Sequence, residues 1–307
     1  MPSLFTKTGS DKTDNIIRRH TREPLFASAR KSPGLTTMSA SALFSSAAAR
    51  VRLGFVGMAA GAGATTLSFA AAEYLAGLSA KRGGGVRPGP CQTGRGRAIT
   101  MLELDLGTDA SAGMPYDKIG IDRRFAGRDF ISFYRLAAEN KPLHGVRNID
   151  GGVGWALRVP GDPEPAPDPT TLHRLISNIA GDILICDISA QGILNGTKPR
   201  MNREALIALL ADLDHIVLVF DPLPSRLLAS VPAAEACRAA AASGVPSTYV
   251  FNKLNEGVNL REALRFTGIK DFLPFPAIPA EAVYRAEYAC RSLAPELSAP
   301  LAALFPE

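Results

Sequence analysis

The sequence has little of what secreted, metal-bound or membrane-embedded chains depend on. Among its 307 residues are four cysteines and four histidines. Cys91, Cys186, Cys237 and Cys290 are scattered, with no C-x-x-C and no histidine at metal spacing. That pattern points to neither a zinc site nor a disulfide framework, and we read the four as reduced thiols that mostly pack. No apolar run is long enough to span a bilayer, and the N-terminus lacks the continuous apolar block of a secretory signal. A soluble, cytoplasmic protein without a membrane span is expected. Hydrophobic residues make up 46% and there is a single Trp, which suits an ordinary globular chain. The length allows one large α/β domain or two small ones.

Beyond residue 50 there is no charge imbalance. Eight Lys and Arg against Asp11, Asp14 and Glu23 in residues 1–50 account for the whole formal net charge of +5. This basic tail is rich in Ser, Thr and Ala without periodicity, so residues 1–50 are expected to be disordered and residues 51–307 to form the folded domain. Met38 opens a plausible shorter protein. A basic arm can touch nucleic acid or another anionic surface. With few aromatics and no dense block of charge, a solvated tail is the preferred reading and a nucleic-acid partner the lesser one.

The stretch 51–80, VRLGFVGMAAGAGATTLSFAAAEYLAGLSA, organises the rest. A short apolar run, a turn of small residues and Met58, and an alanine-rich helical pattern predict strand, glycine loop and helix. Such a loop gathers backbone N–H groups and a helix N-terminus around one point, a natural seat for phosphate. Against the pattern G-x-x-x-x-G-K-[ST], Gly63 and Thr65 are in register, but Met58 stands at the first glycine and Ala64 at the lysine. Two other readings stay open. GAGATT can be merely a tight turn whose small residues pack closely. It can also be a dinucleotide fingerprint of an oxidoreductase, although Thr66 replaces the third small residue of that motif.

The helix over 65–80 is apolar nearly all round, which places it between other layers. Residues 81–97, dense in Gly and Arg, read as a mobile basic loop, either inert or binding polyanions. Residues 98–107 read as a strand that ends in Glu103 and Asp105, two acids on the same side at the end where α/β sheets hold ligands. Residues 182–189 read as a buried parallel strand delivering Asp187 at its tip. In phosphate-loop nucleotidases such a carboxylate holds the Mg2+ shell; the alternative is a simple turn cap. Helices are expected at 130–139, 170–180, 201–210 and 224–243, strands at 153–159, 215–220 and 248–251, and two closing helices after 274–279. Alternating strands and helices predict an α/β fold with a mostly parallel, doubly wound sheet and helices on both faces.

Taken in order, these motifs resemble the ParA/MinD group of deviant-Walker ATPases within the P-loop superfamily. The likeness runs from about residue 51 to the C-terminus. GMAAGAGATT resembles the family's S-G-K-G-G-V-G-K-T-T, ELDLG its D-x-D-x-G, and ICDISAQG its D-x-P-A-G. The resemblance implies a P-loop fold that binds ATP and Mg2+, a homodimer and a protein partner. It implies phosphate binding by Gly61, Ala62, Gly63 and Ala64, with Thr65 on Mg2+ and Thr66 near the α-phosphate. Asp187 would complete the metal site, Asp105 would position or activate the attacking water, and Asn252 would contact the adenine.

The departures weigh equally. Ala59 stands where the family has its signature lysine and Ala64 where the general P-loop lysine belongs, so the Walker A motif is degenerate. Loss of a charge-assisted hydrogen bond weakens binding by ~1.5 to 3 kcal/mol, and loss of transition-state charge neutralisation slows phosphoryl transfer on the order of 10³-fold or more. Alanine at the P-loop lysine resembles the CpaE/TadZ-like branch that places type IV pili, although that branch usually carries a receiver-like domain before the ATPase. The expectation is a nucleotide-binding or pseudo-ATPase positioning factor. The alternative is a slow Mg-ATPase in which Lys253, Arg52 or an arginine of residues 81–97 supplies the missing charge.

Overall fold

The structure is a computed structural model, and it describes residues 37–45, 50–82, 97–105, 120–126, 129–143, 148–160, 162, 169–189, 203–242 and 244–307. Among the described residues eight strands form one sheet: β1 (Val51–Gly57), β2 (Ile99–Asp105), β3 (Ile149–Asp150), β4 (Val153–Ala156), β5 (Ile183–Ser189), β6 (His215–Phe220), β7 (Ser247–Leu254) and β8 (Leu273–Pro276). Their spatial order is β3-β4-β2-β5-β1-β6-β7-β8. All neighbours are parallel except β3, which runs antiparallel to β4 at one edge. The apolar runs behave as buried parallel strands must, since helices cover both faces; β6 is buried at every position.

Alternation along the strands sorts the core into two halves. Leu53 and Phe55 of β1, Met101 of β2 and Ile183 and Ile185 of β5 join one cluster. Val56, Leu102, Leu184, Cys186 and Ile188 join the other. The first half is covered by α2 (Ala64–Arg82), itself overlaid by the C-terminal helix α11 (Ser298–Leu304) through Leu301 and Leu304. This explains why α2 is apolar nearly all round: it is a middle layer. The second half is covered by α4 (Phe133–Ala138), α5 (Pro169–Asn178), α6 (Arg203–Ala211), α7 (Pro224–Ala229), α8 (Val231–Ala242) and α9 (Leu260–Thr267). The remaining helices are α1 (Ala40–Leu43), α3 (Ile121–Arg124) and α10 (Ala280–Tyr288).

Three local expectations differ from the structure. Part of the stretch read as disordered tail is folded: Ala40 and Leu43 of α1 are buried in the core half under α2. It is tied down by Ala40 N–H donating to Pro306 O at 2.6 Å and by Arg97 Nη1 donating to Leu43 O at 2.7 Å; residues 1–36 lie outside the described residues. The helix expected over 224–243 is two helices. Ser230 Oγ back-bonds to Leu227 O at 2.6 Å, and Pro232 has no N–H for a continuing ladder, so the run breaks between α7 and α8. Finally, β7 continues past Phe251 to Leu254 and carries Asn252 and Lys253 within it.

Candidate nucleotide site

The glycine loop leaves β1 at the carboxyl edge of the sheet and enters α2 at Ala64. Met58 is fully buried, and its N–H donates to Val219 O at 3.0 Å, which pins the start of the loop to β6. Ala62 N–H then closes a turn onto Ala59 O at 3.0 Å. Gly61 and Gly63 lie at φ 71 and φ 95, conformations a side chain disfavours. At Gly63 a side chain is also excluded by space, because a Cβ there would come within 2.4 Å of Asn252 Nδ2. Thr65 and Thr66 sit half-buried in the first turn of α2. Positive φ at Gly61 and Gly63 just before a helix start is the local setting in which anion-binding loops occur.

Asp187 is the fifth residue of β5, 4% exposed, and lies in register with Phe55 of β1 on one side and Glu103 of β2 on the other. Strand parity puts Asp187 and Glu103 on the α2 face, side by side on neighbouring strands. Glu103 is 3% exposed, and its Oε2 accepts the Arg158 N–H at 3.0 Å. Arg158 is buried too, with its guanidinium 5.8 Å from the centre of the Tyr134 ring, and the Tyr134 hydroxyl donates to Glu103 O. The backbone of Asp105 pairs with Ser189 at the same edge; Leu106 and Gly107, and Ala190 to Gly192 of the second acidic motif, lie outside the described residues. Beside Asp187, burial pushes the Cys186 thiol up to about 12, which fits a packing residue.

On the other flank, β7 supplies what the loop lacks. Asn252 is 6% exposed, and its Nδ2 donates to Ala62 O at 2.8 Å. Lys253 Nζ donates to Gly61 O and lies 3.0 Å from Asp221 Oδ2, whose carboxylate is buried at the end of β6. Of the cations considered from sequence that lie among the described residues, Lys253 is the one brought to the loop. Arg52 stands at the opposite end of β1, its backbone N–H on Asp214 Oδ2 at 2.8 Å and its Nη1 on Asp212 O at 2.9 Å. Of the basic loop, residues 83–96 lie outside the described residues; its flanks, Arg82 at the end of α2 and Arg97 before β2, are on that far side as well.

The residues brought together are therefore Gly61 to Gly63 with Asn252, Lys253 and Asp221, and Asp187 with Glu103 one strand over from β1. Asp221, Arg158 and Tyr134 were missed from sequence. Asp221 carried a signal, being another acid at the tip of a buried strand.

Strand order separates the two nucleotide readings of the loop. In the sheet of the dinucleotide-binding proteins the second strand lies beside the first. Here β5, bearing Asp187, stands between β1 and β2. No family model matches the chain, and no curated protein matches it. Solved structures do match. The cell division ATPase MinD of Pyrococcus furiosus superposes with a TM-score of 0.55 at 14% identity, over 83% of this chain and 97% of that one. A ParA family ATPase from Chlorobium tepidum TLS gives 0.53 at 15% identity, over 84% and 97%. The fold is that of the ParA/MinD ATPases. MinD of Pyrococcus horikoshii OT3, solved in complex with Mg-ADP, gives 0.52 at 14% identity over 79% and 86%. Asp187 stands on β5, the strand next to β1, in register with Phe55. Among the described residues no helix is long and apolar enough to cross a membrane.

Proposed function

We propose that the chain is a ParA/MinD-like nucleotide-binding protein that acts as a positioning or scaffold factor, with ATP hydrolysis weak or absent. The observation that carries this reading is a loop with the backbone of a phosphate cradle, Gly61 and Gly63 at positive φ, whose two lysine positions hold the buried alanines Ala59 and Ala64. A buried Ala59 side chain has no reach across a dimer interface.

The residues present fit a nucleotide with its metal in donor type. Backbone N–H groups at Gly61 and from Gly63 to Thr66 would hold the phosphates, the Ala62 N–H being engaged by Ala59 O, and the Thr65 hydroxyl with the Asp187 carboxylate would hold Mg2+, a hard cation suited to oxygen ligands. Bound there, Mg2+ would supply the charge neutralisation that no lysine within the loop provides. Asp105 is the proposed water-positioning carboxylate. Asn252 has committed its amide nitrogen to the loop, which leaves its Oδ1 for an adenine contact. That a MinD of the same fold holds Mg-ADP supports this pair of ligands. A homodimer with a protein partner is part of the proposal, and the pilus-placing CpaE/TadZ-like branch is the assignment that Ala64 favours.

A slow Mg-ATPase is the second reading, favoured by one observation: Lys253 sets an ammonium group against the loop. Calorimetric titration of the full chain with ATP and Mg2+, alongside phosphate release, tests both. Micromolar binding that Asp187→Ala weakens at least about tenfold, without measurable release, is the expected result. Release that depends on Asp105 would establish the second reading, and absence of any heat at millimolar ATP would refute both.

A further inference from the structure

Two consecutive residues of β7 reach the same loop, which regular strand geometry forbids, because neighbouring side chains point to opposite faces. Asn252 nonetheless donates to Ala62 O and Lys253 to Gly61 O. Two backbone features allow it. The pairing of β7 with β8 shifts register between Phe251 and Leu254, and such a bulge re-aims side chains. Lys253 itself lies at φ 61, a left-handed conformation uncommon for any residue but glycine. Strain of this kind persists only where the surroundings over-determine it, and it collects at ligand clamps. The surroundings here include Asp221, 3% exposed, with one oxygen held by Leu223 N–H at 3.1 Å and the other facing Lys253 Nζ at 3.0 Å.

We propose that Asn252 and Lys253 form a clamp on the outward carbonyls of the glycine loop, and that this clamp, in place of a lysine inside the loop, keeps the phosphate nest formed. They are positioning residues, and their role in phosphate binding rests on the nucleotide reading above. In a trans peptide the N–H points opposite the C=O. Holding the Ala62 carbonyl on Asn252 therefore turns the Gly63 N–H to the other side of the loop. Holding the Gly61 carbonyl on Lys253 sets the Ala62 N–H, which closes the turn onto Ala59 O at 3.0 Å. A loop of small residues has no side chains to lock these peptide planes, so the lock comes from a neighbouring strand. A nest gathers an anion only while its N–H groups stay convergent.

The test compares wild type, Lys253→Met and Lys253→Arg, all full length, by hydrogen exchange and by titration with ATP·Mg2+ and with inorganic pyrophosphate. Lys253→Met is expected to speed exchange of the 61–63 amides at least about fivefold while β6 stays as slow as in wild type. It should also weaken both ligands at least about tenfold, with Lys253→Arg restoring most of the loss. If the Met variant does not fold, Lys253→Gly relieves the positive-φ strain, removes the ammonium and carries the same test. Unchanged exchange in the neutral variant would overturn the clamp. Faster exchange with unaltered affinity would overturn its link to phosphate. Wild type that binds neither ligand while the loop still loosens in Lys253→Met would refute the nucleotide reading and the phosphate role together, and the exchange data set that outcome apart from failure of the clamp.

Discussion

Replacing Gly63 by alanine is expected to damage the protein well beyond the same change at Gly61, two residues away in the same loop. Both positions lie at positive φ, 71 at Gly61 and 95 at Gly63, so each substitution costs the left-handed strain of an L-residue, roughly 1–2 kcal/mol. Around Gly61 a new Cβ meets nothing within 4 Å, and strain is the whole cost. At Gly63 the Cβ would sit 2.4 Å from Asn252 Nδ2. That amide must move, and its bond to Ala62 O is lost with the Ala62 carbonyl left facing a buried side chain, about 1–3 kcal/mol more. Gly63→Ala is thus expected to cost about 2–5 kcal/mol in all, against roughly 1–2 for Gly61→Ala. Urea denaturation of both variants with a common m-value gives the two numbers directly. Equal losses at the two positions, or a neutral Gly63→Ala, would refute the claim that β7 braces the loop.

Other consequences follow from the same structure. Burial lowers the His215 imidazole from 6.5 to about 4, with Nε2 2.8 Å from Thr248 Oγ1. The folded state then binds fewer protons than the unfolded one. Stability is complete above the unfolded value and is lost as pH falls from about 6.5 toward 4, at about 1.4 kcal/mol per unit; urea midpoints between pH 7 and 5 should show this slope, and His215→Gln should flatten it. Arg124 bonds Glu73 Oε1 at 2.8 Å and Cys290 O at 2.9 Å and lies over the Trp155 ring, joining α2, the C-terminal segment and β4. Arg124→Met is expected to cost about 1–3 kcal/mol in the same assay, and no change would mean that the junction is only a surface contact.

Much of the sheet was legible because buried parallel strands write themselves as uninterrupted apolar runs: HIVLVF predicts β6 residue for residue. An acid that follows such a run is expected toward the carboxyl end of its strand, and Asp187 lies there as the fifth residue of β5, two residues short of the strand tip that the sequence suggested. Distance was not legible. Arg52 is near the loop in sequence, yet it lies at the start of β1, and the strand rises about 3.3 Å per residue away from it. Lys253, 192 residues from Gly61, touches it. Nothing in strict alternation foretells that Asn252 and Lys253 turn to the same side, since a bulge and one positive φ decide it. Four residues of α1 are too few for periodicity, so the burial of Ala40 and Leu43 in the core was invisible in the tail's composition.

The charge around the loop leads to a last expectation, about the metal. Among the described residues of this edge, Glu103, Asp187 and Asp221 are buried carboxylates, and the cations that accompany them are Arg158, held beside Glu103, and Lys253, held by Asp221. Lys253 is paired with the Asp221 carboxylate, the Arg158 guanidinium lies over the Tyr134 ring, and the alanines at 59 and 64 add no further charge. A polyphosphate entering such an edge meets backbone dipoles that attract it and, at Asp187, a carboxylate that repels it. A P-loop lysine would offset part of that repulsion whether or not metal were present. Without one, a divalent cation between Asp187 and the phosphates has to supply the compensation, because an ion placed there turns the same carboxylate from a repulsive neighbour into a ligand. ATP affinity is therefore expected to fall by at least two decades, about 2.7 kcal/mol, when EDTA replaces Mg2+, and in Asp187→Asn, where the repulsion is removed with the ligand, the metal dependence should shrink to less than about tenfold. Binding of ATP that is indifferent to EDTA in the wild type would place the phosphates away from Asp187 and take the loop out of the site.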